Sequence, residues 1–182
     1  MRIEDIIYFS PSFKFKDIDW DNKDQLIEAF SDRVCGFYLT PAEYLNSKKN
    51  GFATGLLCVA TIDFLARIAI GKGPGPRIKE WIEGNIKDFK GKNHICKKFY
   101  EDFRNGLVHE GRIKNGGQFT YDISRIYCDG DVMLINPDKF LNSIKISFQN
   151  YVSNIKVDEE KFKKFKELLM DDFKKEIELT GK

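Results

Sequence analysis

Histidine is almost missing from this chain: among 182 residues only His94 and His109 occur. They lie fifteen residues apart, about 22 Å along a continuous helix, so the two cannot share a metal ion. Cysteine is sparse too. Cys35, Cys58, Cys96 and Cys128 form no CxxC pair, which excludes a zinc knuckle and a dithiol redox motif and leaves a reduced intracellular protein as the expectation. An excess of charge of one sign is also missing. Thirty Lys and Arg face 28 Asp and Glu, for a net charge of +2, so the molecule as a whole is no polycation that coats nucleic acid or membrane. The most apolar stretch, "GFATGLLCVATIDFLARIAIG", is interrupted by Asp63 and Arg67. Four residues apart, they read as an i,i+4 ion pair on a buried helix and not as part of a membrane span. The N-terminal residues offer no long apolar segment with a small-residue cleavage site, so no secretory signal and a cytoplasmic location are expected.

What is present is an ordinary globular composition with an aromatic bias. Hydrophobic residues make up 42% and charged residues 32%, and 16 are Phe. A chain of this length buries a substantial core without disulfides or metal, so residues 1–182 are read as one domain. Apolar residues recur at helical spacing over 22–46, where Pro41 should kink or divide the helix. They cover nearly all faces over 52–70, which marks a central helix. "GKGPGPR", residues 71–77, reads as a connector, and neither a preceding strand nor a GK[ST] supports a phosphate loop there. A short amphipathic helix follows at 78–89, then a basic helix. Alternating Phe119, Tyr121 and Ile123, answered by "DVMLI" across "DGD", signal a β-hairpin at about 118–136. Two amphipathic helices close the chain. The fold class is therefore mainly α: an up-and-down bundle of five or six helices with one inserted hairpin. The first twenty residues, with Phe9, Phe13, Phe15 and Trp20, are expected to pack across it.

The stretch "FYEDFRNGLVHEGRIKNGG", residues 99–117, holds the chemistry. It places Arg104, Asn105, His109 and Glu110 at a helix end that Gly111 should cap in the left-handed conformation. It also lies in a locally basic segment: Lys87, Lys90, Lys92, Lys97, Lys98, Arg104, Arg112 and Lys114 are opposed only by Asp88, Glu101, Asp102 and Glu110. In an ordinary α-helix Asn105 and His109 share a face, whereas Arg104 and His109 diverge by roughly 140°. The bland explanation of such a histidine is that its imidazolium is stabilised by the helix macrodipole.

"FRNGLVHEGR" resembles the motif of the HEPN superfamily, the higher eukaryotes and prokaryotes nucleotide-binding domain. There an arginine, a following polar residue often Asn, and a histidine four to six residues on form R-x4-6-H. The resemblance covers about ten residues, together with the helical fold class and the motif's place at the end of an internal helix. It implies a metal-independent endoribonuclease without a cofactor, commonly a homodimer whose two motif helices build one composite cleft. Many members are toxins or effectors in phage defence and toxin–antitoxin systems, which implies an antitoxin or other regulatory protein as a further partner. Others are non-catalytic modules that dimerise or bind a nucleotide or a partner, and this is the alternative from a different class.

The residue types fit such a reaction in their own right. A base that removes the 2′-hydroxyl proton of RNA lets that oxygen attack the adjacent phosphorus and leave a 2′,3′-cyclic phosphate. Histidine suits that proton transfer near neutral pH. Arg104 would hold the phosphate and stabilise transition-state charge, and Asn105 would position phosphate or imidazole. Arg112, Lys114, Lys97 and Lys98 are expected to funnel RNA toward the cleft. Glu110 either orients His109 from a partner chain or bonds with Arg112. Asp63, polar at the centre of an apolar helix, either supports the motif helix or serves in a structural pair.

Overall fold

The computed structural model describes residues 1–3, 5–71 and 73–181. The first long helical stretch comprises α1 (Lys23–Val34) and α2 (Thr40–Ser47), joined without a break through a π-helical turn at Cys35–Leu39. The bend expected at Pro41 is thus absorbed one turn earlier. Pro41 sits in the first turn of α2, where its missing N–H costs little. The apolar α3 (Gly51–Ile70) follows and α4 runs from Pro74 to Asn85. The expected connector at 71–77 is therefore shorter than its glycines and prolines suggested. Gly71 ends α3 in the left-handed conformation (φ 76°), and Pro74 opens α4 at a position that needs no donor. Residue 72 lies outside the described residues. The chain continues through α5 (Asn93–Phe99), α6 (Pro137–Val157), α7 (Glu159–Asp172) and a short α8 (Lys174–Leu179). The last helix expected from the sequence is thus divided at Phe173.

Asn22, Asn50, Asn136 and Asp158 each cap a helix by accepting a hydrogen bond from the backbone N–H three residues on, at 3.0–3.2 Å. Such caps contribute about 1 kcal/mol each. α3 packs against α2, α4, α6 and α7. By length and composition it is apolar enough to cross a membrane, but its apolar side chains fill the bundle centre, with Cys58, Val59, Ile62, Leu65 and Ile68 all buried.

The inserted sheet is more elaborate than a hairpin. β4 (Tyr127–Asp129) and β5 (Met133–Ile135) pair antiparallel across the Asp-Gly turn, and β3 (Gln118–Phe119) joins β5 in parallel, Phe119 opposite Ile135. Residues between β3 and β4 are not strand, although their apolar alternation suggested one. The Phe119 ring lies directly against the backbone of Gly55 in α3, a place where a Cβ would overlap the ring. From there Phe119 meets Phe103 at 5.2 Å, and Phe103 stacks on Phe99 at 5.8 Å. This aromatic column fixes the helix of the motif against the centre of the fold.

At the N-terminus, β1 (Arg2–Ile3) and β2 (Ile6–Ile7) form a small hairpin. Phe9, Phe15 and Trp20 are buried; Phe9 and Phe15 meet Phe173, with Phe9 and Phe173 edge to face at 5.3 Å, and Trp20 packs on Phe9 and Phe15. Residues 9–20 thus pack over the junction of α7 and α8.

Candidate functional site

The helix that begins with α5 does not end at Phe99. It continues through two π-helical segments, Tyr100–Arg104 and Gly106–Glu110. In these the Asn105 N–H bonds to the Tyr100 carbonyl and the Gly111 N–H to the Gly106 carbonyl. This i→i+5 winding changes which residues share a face. Arg104 and His109, five apart, diverge in an α-helix but are turned toward one face by the wider π winding. Arg104 Nη1 lies 3.0 Å from His109 Nε2 and donates to Asn105 Oδ1 at 3.2 Å. The expectation that the two side chains point apart is thereby corrected, and no second chain is needed to bring them together.

Residues 111–115 stabilise this winding. Gly111 caps the helix in the left-handed region (φ 67°), as expected. The chain then folds back, with the Lys114 N–H bonded to the Asp102 carbonyl and Asn115 Nδ2 to the buried Asp102 carboxylate at 2.6 Å. Gly106 allows this return, because a Cβ there would overlap the carbonyl oxygen of Arg112. Gly106→Ala is expected to lower stability by about 1–3 kcal/mol through overpacking against backbone, measured as a reduced midpoint in urea unfolding.

Asp63 joins the motif from α3. Its Oδ2 accepts from Arg104 Nη2 at 2.6 Å and Nε at 3.2 Å, and its Oδ1 accepts from Arg77 Nη2 at 2.8 Å. The i,i+4 pair expected between Asp63 and Arg67 does not form. Arg67 reaches Asp172 in α7 instead, at 3.0 Å. The reason is geometric: Asp63 faces α4 and the motif helix, where two guanidinium groups converge with 9% of each side chain exposed. Burial opposes ionisation of Asp63, but the hydrogen bonds and charges of Arg77 and Arg104 outweigh it and hold the carboxyl below its ordinary range.

Arg77 is the member that sequence reasoning missed. It lies within "GPGPR", which reads as loop, and the only hint was indirect: a lone carboxylate on an apolar helix needs cationic partners. The Asp63 carboxylate thus lies between two guanidinium groups, those of Arg77 and Arg104. The Arg104 guanidinium is buried, with 7% of the residue exposed, and its Cζ lies 5.8 Å from the centre of the Tyr100 ring. His109 itself is exposed. Because a guanidinium has no acceptor, the Arg104–His109 contact is a hydrogen bond in the tautomer that carries its proton on Nδ1, with the Nε2 lone pair held toward Arg104.

The outer residues divide. Glu110 bonds Arg112 at 2.7 Å and Lys114 at 2.9 Å, so within one chain it answers to these cations and not to His109. Their charge holds its carboxyl low, with the Lys114 hydrogen bond the largest cause. Lys98 pairs with Asp129 in β4 at 2.6 Å, and Lys97 lies 3.8 Å from Glu101. Each of the four cations expected to guide RNA thus has an acidic neighbour.

An exposed apolar strip borders the cluster. Phe52, Leu56, Ala60 and Asp63 succeed one another on one face of α3, which runs beside the end of the motif helix. Phe52 lines a recess with Arg112 and Ile113, and Ala60 and Asp63 line another with Val108. Phe52, Leu56 and Val108 are 49%, 37% and 47% exposed. Comparison with protein families, with curated proteins and with solved structures found no match to this chain.

Proposed function

We propose that this protein is a metal-independent endoribonuclease of the HEPN type, working as a homodimer. The observation that carries this reading is the contact of Arg104 with His109 and Asn105, backed by Asp63 and bordered by exposed apolar side chains. An RNA phosphate entering the site takes over the Arg104 Nη1–H, which frees His109 Nε2 to accept the 2′-hydroxyl proton. The 2′-oxygen attacks phosphorus, the bond to the 5′-oxygen breaks, and the leaving oxygen takes a proton from the imidazolium of the second copy. The products are a 2′,3′-cyclic phosphate and a 5′-hydroxyl. DNA, with no 2′-oxygen, is inert by this route. Arg104 supplies fixed positive charge where negative charge develops, and its preorganisation by Asp63 means that no reorientation is needed.

A second copy has two roles here. It provides the proton donor that one chain with a single motif histidine lacks, and it covers Phe52, Leu56 and Val108, whose exposure beside a polar site is the usual mark of an interaction face. Val108→Asp is expected to give a folded monomer by sedimentation and to lower RNA cleavage in parallel with the loss of dimer. A dimer that persists with full activity would move the interface elsewhere.

One observation favours a non-catalytic binding or dimerisation module as the second reading: Arg104 is buried and already bonded to Asp63, Asn105 and His109 within its own chain. The deciding test is incubation of the purified protein with mixed single-stranded RNA in EDTA, reading both cleavage and product ends. Cyclic phosphate ends support the enzyme. No cleavage at any protein concentration supports the module.

A further inference from the structure

Beyond Val108 the cluster opens into a recess of about 440 Å³ whose lining includes Arg33, Tyr38, Asp63, Arg67, Asp172 and Glu176. Pockets of about 300–1,000 Å³ hold small ligands. Its walls combine a flat ring with charge of both signs. Tyr38 lies parallel to Phe64, with centroids 5.7 Å apart and planes 12° apart. Arg33 is held among aromatic rings, its Cζ 4.6 Å from the centre of Phe173 and 5.3 Å from that of Phe64, and its Nη1 donates to the Phe9 carbonyl. Its buried Nε has no acceptor among the described residues. Arg67 is tied to Asp172 through Nη1, which leaves further donors of its fork. Glu176 is half-buried, and its carboxylate makes no hydrogen bond or ion pair among the described residues, although its charge acts on Arg33 and on the Met1 ammonium.

We infer that this recess is the specificity pocket of the proposed ribonuclease site and that it selects guanine in the RNA strand. The inference rests on that functional reading for its substrate, but its geometry stands on the recess. Guanine presents two adjacent donors, N1–H and the N2 amino group, which match the two oxygens of a carboxylate such as Glu176. Its opposite edge presents O6 and N7, acceptors that match a guanidinium. Adenine and cytosine would each turn a ring-nitrogen acceptor toward Glu176 beside their single amino group, and uracil would turn its single N3–H toward it with a carbonyl oxygen on either side. An acceptor against a carboxylate is repulsive, so the Glu176 carboxylate excludes as well as attracts. Tyr38 offers a stacking surface that any base can use. Asp63, which accepts from Arg104, and Val108, next to His109 in the chain, both line the recess, so it borders the cluster where the neighbouring phosphate would bind.

The test is a titration of wild type, His109→Ala, Glu176→Gln and Tyr38→Leu with the four nucleoside 5′-monophosphates and with short oligoribonucleotides carrying one guanosine or one inosine. Circular dichroism checks that each variant is folded. Wild type and His109→Ala should bind guanosine monophosphate about tenfold or more tighter than the other three, as one bidentate pair allows. Glu176→Gln should erase that preference, Tyr38→Leu should weaken all four alike, and inosine, which lacks the N2 amino group, should weaken the oligonucleotide. Equal binding of the four monophosphates, no binding of any, or binding of free guanosine monophosphate without preference for the guanosine oligonucleotide would each overturn the inference. Failure of the two readings is separable. A protein that prefers guanosine but cuts nothing loses the ribonuclease and keeps the pocket, whereas cleavage blind to base identity loses the pocket alone.

Discussion

His109→Ala is expected to lower RNA cleavage by about 10²- to 10⁴-fold, the usual contribution of a positioned acid or base, while unfolding in urea at the wild-type midpoint. The two halves of this expectation have separate physical grounds. The imidazole is exposed, so its removal opens no cavity and strands no buried polar group. Its contact with Arg104 is one hydrogen bond, and Arg104 keeps Asp63 and Asn105 as acceptors. The loss therefore falls on proton transfer and not on the fold. In a homodimer both copies lose the histidine, base and acid together, which places the effect toward the upper end of the range. Mixed dimers of wild type with His109→Ala should retain at most a small residual rate, because each composite cleft then lacks one of its two imidazoles. Equal cleavage by wild type and His109→Ala would assign any observed nuclease activity to another site or to a contaminant.

The helices and the apolar centre were legible in the sequence because they depend on periodicity. Leu26, Ile27, Phe30 and Val34 recur at helical spacing and are all buried in α1. The nearly uniform hydrophobicity of α3 matches its place among α2, α4, α6 and α7. The left-handed cap at Gly111 could be read as well, since few other residues adopt that backbone. The site was legible as a set of residues but not as a geometry. The divergence of roughly 140° between Arg104 and His109 follows from 3.6 residues per turn, and the sequence carries no signal for the π winding that reduces it. That winding depends on tertiary contacts, namely the return of Lys114 and Asn115 onto Asp102 and the column of Phe99, Phe103 and Phe119. Asp63 illustrates the same limit. Spacing offered Arg67 four residues away, but the fold supplied Arg77 from the first turns of α4 and Arg104 from the motif. Parallel pairing of β3 with β5 was hidden for a related reason: two residues of strand carry too little alternation to reveal their neighbour.

Asp63→Ala should destabilise the fold strongly and should also reduce cleavage. With Asp63 gone, the guanidinium groups of Arg77 and Arg104, each with 9% of its side chain exposed, face each other without the carboxylate that both use. Breaking a buried ion pair from one side costs about 3–5 kcal/mol, and here the buried Arg104 guanidinium loses its carboxylate partner. Measured by urea unfolding at pH 7, the variant should lose stability of that order. Where it remains folded, Arg104 is freed to turn toward solvent and His109 loses its orienting partner, so cleavage falls even in molecules that keep their helices. The sign of the pH dependence follows from the lowered pKa of Asp63. A carboxyl held below its unfolded value stabilises the native state fully above that value, near 3.9 for an ordinary Asp, and the contribution disappears as pH falls through the lower folded value. The stability difference between wild type and Asp63→Asn should therefore be constant from pH 7 to about pH 5 and shrink below about pH 4, where the wild-type carboxyl is itself neutralised. A difference that stays constant down to pH 2 would mean that shape and hydrogen bonding at residue 63, and not its charge between two arginines, hold α3 to the motif helix.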